Sequence, residues 1–244
     1  MNLVERGSKT EKDGFKNEQD VANRFNNWKT TKEAQDWLII MGYDLSQIEK
    51  VNAVVLHGYK ADINVQVNVF YKHGVDVRNI QVKLVSNRKG FNQVDKRWVD
   101  NYQELWDFPN EISHLLKLFT GELKADSGKK RLLMTDFSYQ EQELLLNRFR
   151  KNKILVLTDI LRGRGEFSAE WVLVAQKIQN NARWVLKNIN IVLQHYGTGD
   201  VCVSPRGSIK LGRVTVQRKG GDNGRPTANM LQFKIDPTEL FDVD

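Results

Sequence analysis

The chain has 244 residues, 40% hydrophobic and 27% charged, with six Trp and eleven Phe, enough apolar mass for one large domain or a core with a lobe. Its formal net charge is +7, and Asp236, Glu239, Asp242 and Asp244 crowd a final stretch without Lys or Arg, so the body is more basic still and suits a polyanionic partner. Cys202 is the only cysteine, which excludes an intrachain disulfide and a Cys-based zinc site; with no signal-type segment and no long apolar run, a cytoplasmic protein that does not enter a membrane is expected.

Residues 14–28 place Phe15, Val21, Ala22, Phe25 and Trp28 at helical spacing and predict an amphipathic helix. Glu18 lies near its start, where a carboxylate suits the helix dipole without any chemistry. A second helix is expected over Thr31–Met41, stopped at Gly42, and Asn52–Leu56 reads as a strand. From Asp62 the chain alternates, polar at 62, 64, 66 and 68 and apolar at 63, 65, 67 and 69, the period of a half-buried strand. A turn at His73-Gly74 leads into a second alternating run, Val77–Val85, with Ile80, Val82 and Leu84 on one side and Gln81 and Lys83 on the other. The two runs predict a hairpin in which Asp62 faces Gln81 and Lys83 across the ladder.

Beyond the hairpin, residues 94–106 read as a helix bearing Trp98, Tyr102 and Trp106 on one face. Helices follow at about 109–120 and 138–152, with the polar stretch 121–131 between them as a variable loop. Lys153–Ile160 resembles a buried strand and leads into a basic loop, Arg162-Gly163-Arg164-Gly165. Ala182–His195 reads as a helix, and the last third as strands over Ile209–Gln217 and Met230–Ile235 joined by a glycine-rich loop at 218–226. Core strands with helices around them make an α/β architecture.

Three parts of this pattern carry chemistry. Asp62, the Gln81 amide oxygen and the Val82 carbonyl are hard oxygen donors of the kind Mg2+ takes, and Lys83 could orient a water or stabilise negative charge growing on a phosphate. Over 83–98 five basic residues face one acid. Phe91 sits there beside Asn92, Gln93 and Lys96; such a Phe either tethers the loop to the core or wedges between base pairs, and the amides beside it could read base edges. The loop at 218–226 brings Arg218, Lys219, Asn223 and Arg225, while Arg162 and Arg164 suit phosphate contacts. The four histidines are isolated, and no phosphate-binding Gly-Lys-Ser/Thr loop is present.

Over nearly its whole length the chain resembles the small HinP-type restriction endonucleases that recognise the palindrome GCGC, type II enzymes of the PD-(D/E)xK nuclease superfamily related to MspI-like enzymes. The resemblance rests on Lys60-Ala61-Asp62-Ile63-Asn64-Val65-Gln66-Val67, on Asn79 through Asn87, on Gly90-Phe91-Asn92-Gln93, on Leu157 through Gly165 and on Gln217 through Arg225. It implies a restriction-endonuclease-like fold, a single domain over 1–244 with a central mixed β-sheet flanked by helices, a catalytic hairpin at about 60–86 and base-reading loops at about 87–97 and 217–226. Asp62, Gln81 and Lys83 match the three motif positions, with Ala61 where the usual proline stands. Gln81 in place of a carboxylate leaves one charge fewer for the metal, and Glu18 is the candidate to supply it. The resemblance further implies Phe91 intercalating within the site, Mg2+ as cofactor with Mn2+ as substitute, and cleavage after the first G to leave two-base 5′ overhangs. The implied partners are double-stranded DNA containing GCGC and, in the cell, a cognate methyltransferase that forms no stable complex. The protein itself would act as a monomer or a homodimer. A structure-selective repair nuclease and a DNA-binding protein that has lost catalysis are the competing readings.

Overall fold

The computed structural model describes residues 3–56, 65–221 and 225–244, with side chains from residue 12 onward. In chain order the helices and strands are α1 (Leu3–Asn26), α2 (Lys32–Ile40), β1 (Ile48–Val55), β2 (Val65–Tyr71), β3 (Gly74–Val85), β4 (Asn92–Arg97), α3 (Val99–Trp106), α4 (Asn110–Thr120), α5 (Tyr139–Lys151), α6 (Lys153–Arg162), β5 (Trp171–Ile178), β6 (Asn181–Asn188), α7 (Ile189–Gly197), β7 (Val201–Val203), β8 (Ile209–Leu211), β9 (Val214–Arg218) and β10 (Leu231–Ile235). They fall into two compact units, each with its own five-stranded sheet. None of the described helices is long and apolar enough to cross a membrane.

The first unit comprises Gly7–Asn92, Leu161–Val192 and Asp236–Asp244. Its sheet runs β1-β2-β3-β5-β6, antiparallel except for the β3–β5 pair. That parallel step requires a long crossover, which the chain between the two strands supplies. The expected hairpin forms: β2 and β3 pair from Val65↔Ile80 to Tyr71↔Gly74 around a turn at Lys72-His73. Val65, Val67, Val69, Ile80 and Val82 pack with Val21, Ala22 and Phe25 of α1 and with Trp37 and Leu38 of α2. Trp37 joins Phe25 and Trp184 in an aromatic group with ring centroids 5.2 and 5.5 Å apart. The hairpin's outer end is fixed by Arg78, which donates to the Tyr43 hydroxyl at 2.8 Å and bridges Asp76 and Glu170 at 3.0 and 3.1 Å.

The second unit holds Gln93–Ile160 and Leu193–Ile235 together with the start of the chain. Its sheet runs β4-β10-β9-β8-β7. Tyr102 and Trp106 stack at 4.4 Å, and Phe233 meets both edge-on. Asp159, 2% exposed, is tolerated in this core because its carboxylate accepts from Trp106 Nε1 at 2.9 Å and from Arg97 at 3.0 Å. A buried charge persists only when so paired.

Several expected elements are corrected. Lys153–Ile160 is helix α6 and not a strand: Val156, Leu157, Ile160 and Leu161 are buried while Ile154 is 82% exposed. A helical period was hidden inside a run that is apolar almost throughout, the case in which periodicity cannot discriminate. The helix expected over 94–106 is strand β4 followed by α3, whose buried residues are Val99, Tyr102 and Trp106, with Trp98 at the N-cap. Likewise 182–195 divides into β6 and α7, and 209–217 into β8 and β9, turning at Gly212 with φ +59°.

Candidate active site

Strand β3 sets the candidate site. Period-two geometry puts Asn79, Gln81 and Lys83 on the face opposite Ile80 and Val82. The alternation suggested an open polar face there, but Gln81 is 2% exposed and Lys83 half-buried, because β5 pairs along the inner edge with Gln81↔Val172 and Lys83↔Val174. Asn79 is held by a bond from Gln66 at 3.2 Å and donates to the carbonyls of Glu166 and Ser168. Gln66, Asn79, Arg162, Phe167 and Glu170 line a cleft of about 500 Å3.

The amide of buried Gln81 carries a neutral hard oxygen, a donor that fits a divalent cation such as Mg2+. No group of three His, Cys, Asp or Glu able to hold a metal occurs among the described residues. Asp62 lies outside the described residues.

Glu18, a helical turn before Ala22 on α1, is linked electrostatically to Lys83. Burial pushes its carboxyl above the ordinary range, and the Lys83 ammonium pulls it part of the way back. A carboxylate whose charge is disfavoured by burial is one that a cation would stabilise. Its raised folded-state value means that folding stability is complete below the unfolded value near 4.5 and declines as pH rises through the folded value. Glu18→Gln is therefore expected to raise the melting temperature of the metal-free protein at pH 7–8 by roughly 1–2 °C, discounted for a half-exposed group. The gain should vanish below about pH 4.5. Thermal melts over this range would show the opposite trend if Glu18 were stabilised by its charge.

The loop after β3 is braced and its tip is bare. Gln176 donates to the carbonyls of Asn87 and Arg88 at 2.7 and 3.2 Å, Asn92 Nδ2 donates to Leu84 O at 3.0 Å, and Gly90 N reaches Asp236 at 3.4 Å. Phe91 is 61% exposed, so it does not tether the loop to a core. Arg162 and Arg164 are exposed, the former at the end of α6 with its carbonyl accepting from Ala169 N at 2.7 Å.

In the second unit the polar face of the sheet collects residues that the loop-centred reading of the sequence missed. On β10, Gln232 and Lys234 alternate with buried Leu231, Phe233 and Ile235. Their cross-strand partners on β9 are Gln217 and Thr215, and Lys210 of β8 donates to Thr215 Oγ1 at 2.8 Å. Gln232 Nε2 donates to Gln93 Oε1 at 2.6 Å, leaving the buried Gln232 Oε1 without a partner. Burial also holds the Lys234 ammonium below its ordinary value. No acid occurs on β8, β9 or β10. The signal was present in the alternation of Leu231–Ile235. Lys96 is exposed on β4, Lys219 N donates to Met230 O, Arg225 is exposed, and Asn223 lies outside the described residues.

A family profile described as R.HinP1I restriction endonuclease matches residues 41–241. Among solved structures, restriction endonuclease MspI in complex with its cognate DNA shares the fold, with a TM-score of 0.66 over 96% of this chain and 93% of that one at 13% identity. No curated protein sequence matches the chain at a significant level.

Proposed function

The chain belongs to the R.HinP1I restriction endonuclease family and is a type II site-specific endonuclease acting on DNA, and from that premise we propose that it hydrolyses double-stranded DNA at GCGC with Mg2+, serving restriction beside a cognate methyltransferase in the cytoplasm. Restriction endonucleases of this kind generally use divalent metal ions. The observation that carries the Mg2+ centre is the buried Gln81 amide on the strand face it shares with Lys83, with the Glu18 carboxyl held in Lys83's field.

Asp62, Gln81, the Val82 carbonyl and Glu18 would hold the cation in this reading. When bound, it neutralises phosphate charge and lowers the pKa of the attacking water. Lys83 donates to that water or to the phosphate oxygen on which charge accumulates, and its half-buried position strengthens the interaction. Phe91, exposed on a braced loop, suits an unstacking wedge, since a rigid base lets an apolar side chain separate bases without folding back. Asn92 and Gln93, with Gln232 and Lys234, would meet base edges; a lysine donor suits guanine O6 and N7, and an amide oxygen accepts from cytosine N4. Arg162, Arg164, Lys96, Lys219, Asn223 and Arg225 would serve the DNA backbone and the neighbouring bases.

The test is a digest with Mg2+ of a plasmid of known sequence, with every end mapped. Ends are expected only at GCGC, cut after the first G with two-base 5′ overhangs. Cutting indifferent to GCGC, or directed to nicks and branches, would overturn the specificity; tight binding without cutting would overturn catalysis.

A further inference from the structure

Arg218 is held by a single neighbour. Its Nε and Nη2 both donate to Asn229 Oδ1, at 3.0 and 2.7 Å, and Asn229 in turn donates from Nδ2 to the carbonyl of Gly121 at 2.9 Å. This uses one edge of the guanidinium and leaves the two-nitrogen fork at its other edge. Gly121 ends α4 in the left-handed region at φ +83°. A side chain there would come within 2.5 Å of the Lys130 carbonyl and 3.2 Å of the Arg131 Cβ. Gly121 is therefore the common anchor: one side packs against the stem of Arg131, and its carbonyl fixes Asn229 and through it Arg218.

The half-buried Arg131 lies in the electrostatic field of Arg218. Burial, and then the charge of Arg218, hold Arg131 below its ordinary value. Among the described residues no carboxylate bonds to either group, and Arg131 has no hydrogen-bond partner at all. Like charges brought together without an acid are destabilising unless a ligand supplies the missing anion. A neutral base edge cannot offset that repulsion, whereas a phosphodiester can accept from both forks.

We propose that Arg131 and Arg218, set by Asn229 on Gly121, form a two-guanidinium seat for one phosphate of the DNA backbone. This rests on the endonuclease reading above. It gives the stretch 121–131, expected as a variable connection, a part in substrate binding, and it makes Arg218 a phosphate holder and not a reader of bases. Asn229 is a positioning residue.

The experiment is equilibrium binding of the full chain, without added divalent metal, to a GCGC duplex and to the same duplex with the site scrambled, from low to moderate salt. Arg131→Met is expected to weaken both duplexes equally, roughly tenfold, and to make the slope of log affinity against log salt shallower by about one. The ratio between the duplexes should stay as in the wild type. Asn229→Ala should give a smaller loss of the same kind, and Arg131→Lys, which keeps the charge, should keep the wild-type slope. Loss confined to the GCGC duplex, or an unchanged slope in an Arg131→Met protein of wild-type melting temperature, would overturn the seat. A slope equally shallow in Arg131→Lys would also overturn it. Wild-type protein that binds neither duplex would instead sink the endonuclease reading on which the seat depends.

Discussion

Asp62→Ala is expected to reduce duplex cleavage about a thousandfold or more, corresponding to roughly 4 kcal/mol of lost transition-state stabilisation. Binding to the same duplex without metal should be unchanged or slightly tighter. The two effects separate because the proposed role of Asp62 is to hold a cation, and removing a negative charge opposite a polyanion cannot weaken its electrostatic attraction. Single-turnover cleavage and metal-free binding, measured on one preparation, decide it. Retained cutting would remove Asp62 from the centre. Loss of binding together with cutting would show that the change had acted through folding or recognition.

Gln81→Glu should act mainly on stability, and in opposite directions with and without metal. At 2% exposure, a carboxylate there is taken almost wholly out of water, and burying a charge without full compensation costs about 3 kcal/mol or more. For a domain of this size, that lowers the melting temperature by roughly 6–12 °C. The sign with pH follows from linkage. A buried carboxyl has its folded value raised, so stability is retained below the unfolded value of about 4.3 and lost as pH rises through the folded one. Mg2+ should recover much of the loss at pH 8, and by a larger shift than in the wild type, since the cation gains a charged ligand where it had a neutral one. A melting temperature indifferent to Mg2+ in the variant would show that Gln81 does not face the cation.

Both results bear on why an amide stands at this position. A neutral oxygen donor spares the metal-free protein a buried charge, whereas Glu18 is only half-buried and keeps a lysine nearby. The chain therefore places its carboxylate where the desolvation penalty is smaller and its amide where burial is nearly complete. In the proposed centre, electrostatic attraction for the cation is the property given up.

The strand pattern on either side of Lys72-His73 was legible without coordinates, because side chains alternate with a period of two and the pairing register follows from the turn. So were the basic character of the body and the grouping of Gln81 with Lys83 on one strand face. The long matches to a known family added the fold and the activity, which periodicity cannot supply. The apolar run at 153–160 went the other way, since a helix and a strand buried on most sides write the same residues.

What the sequence by itself determined was the order of donors and cations along the chain: Glu18, Asp62, Gln81, Lys83, then Phe91 in a basic loop. Only the tertiary structure decided which of them are buried and which are bare. Gln81 is covered, Phe91 is exposed on a loop tied down by Gln176, and Gln232 and Lys234 share the polar face of the second sheet. Arg131 and Arg218, far apart in sequence, are anchored on one glycine. The physical reason is that alternation fixes a side chain's direction locally, whereas burial and the meeting of like charges depend on neighbours distant along the chain.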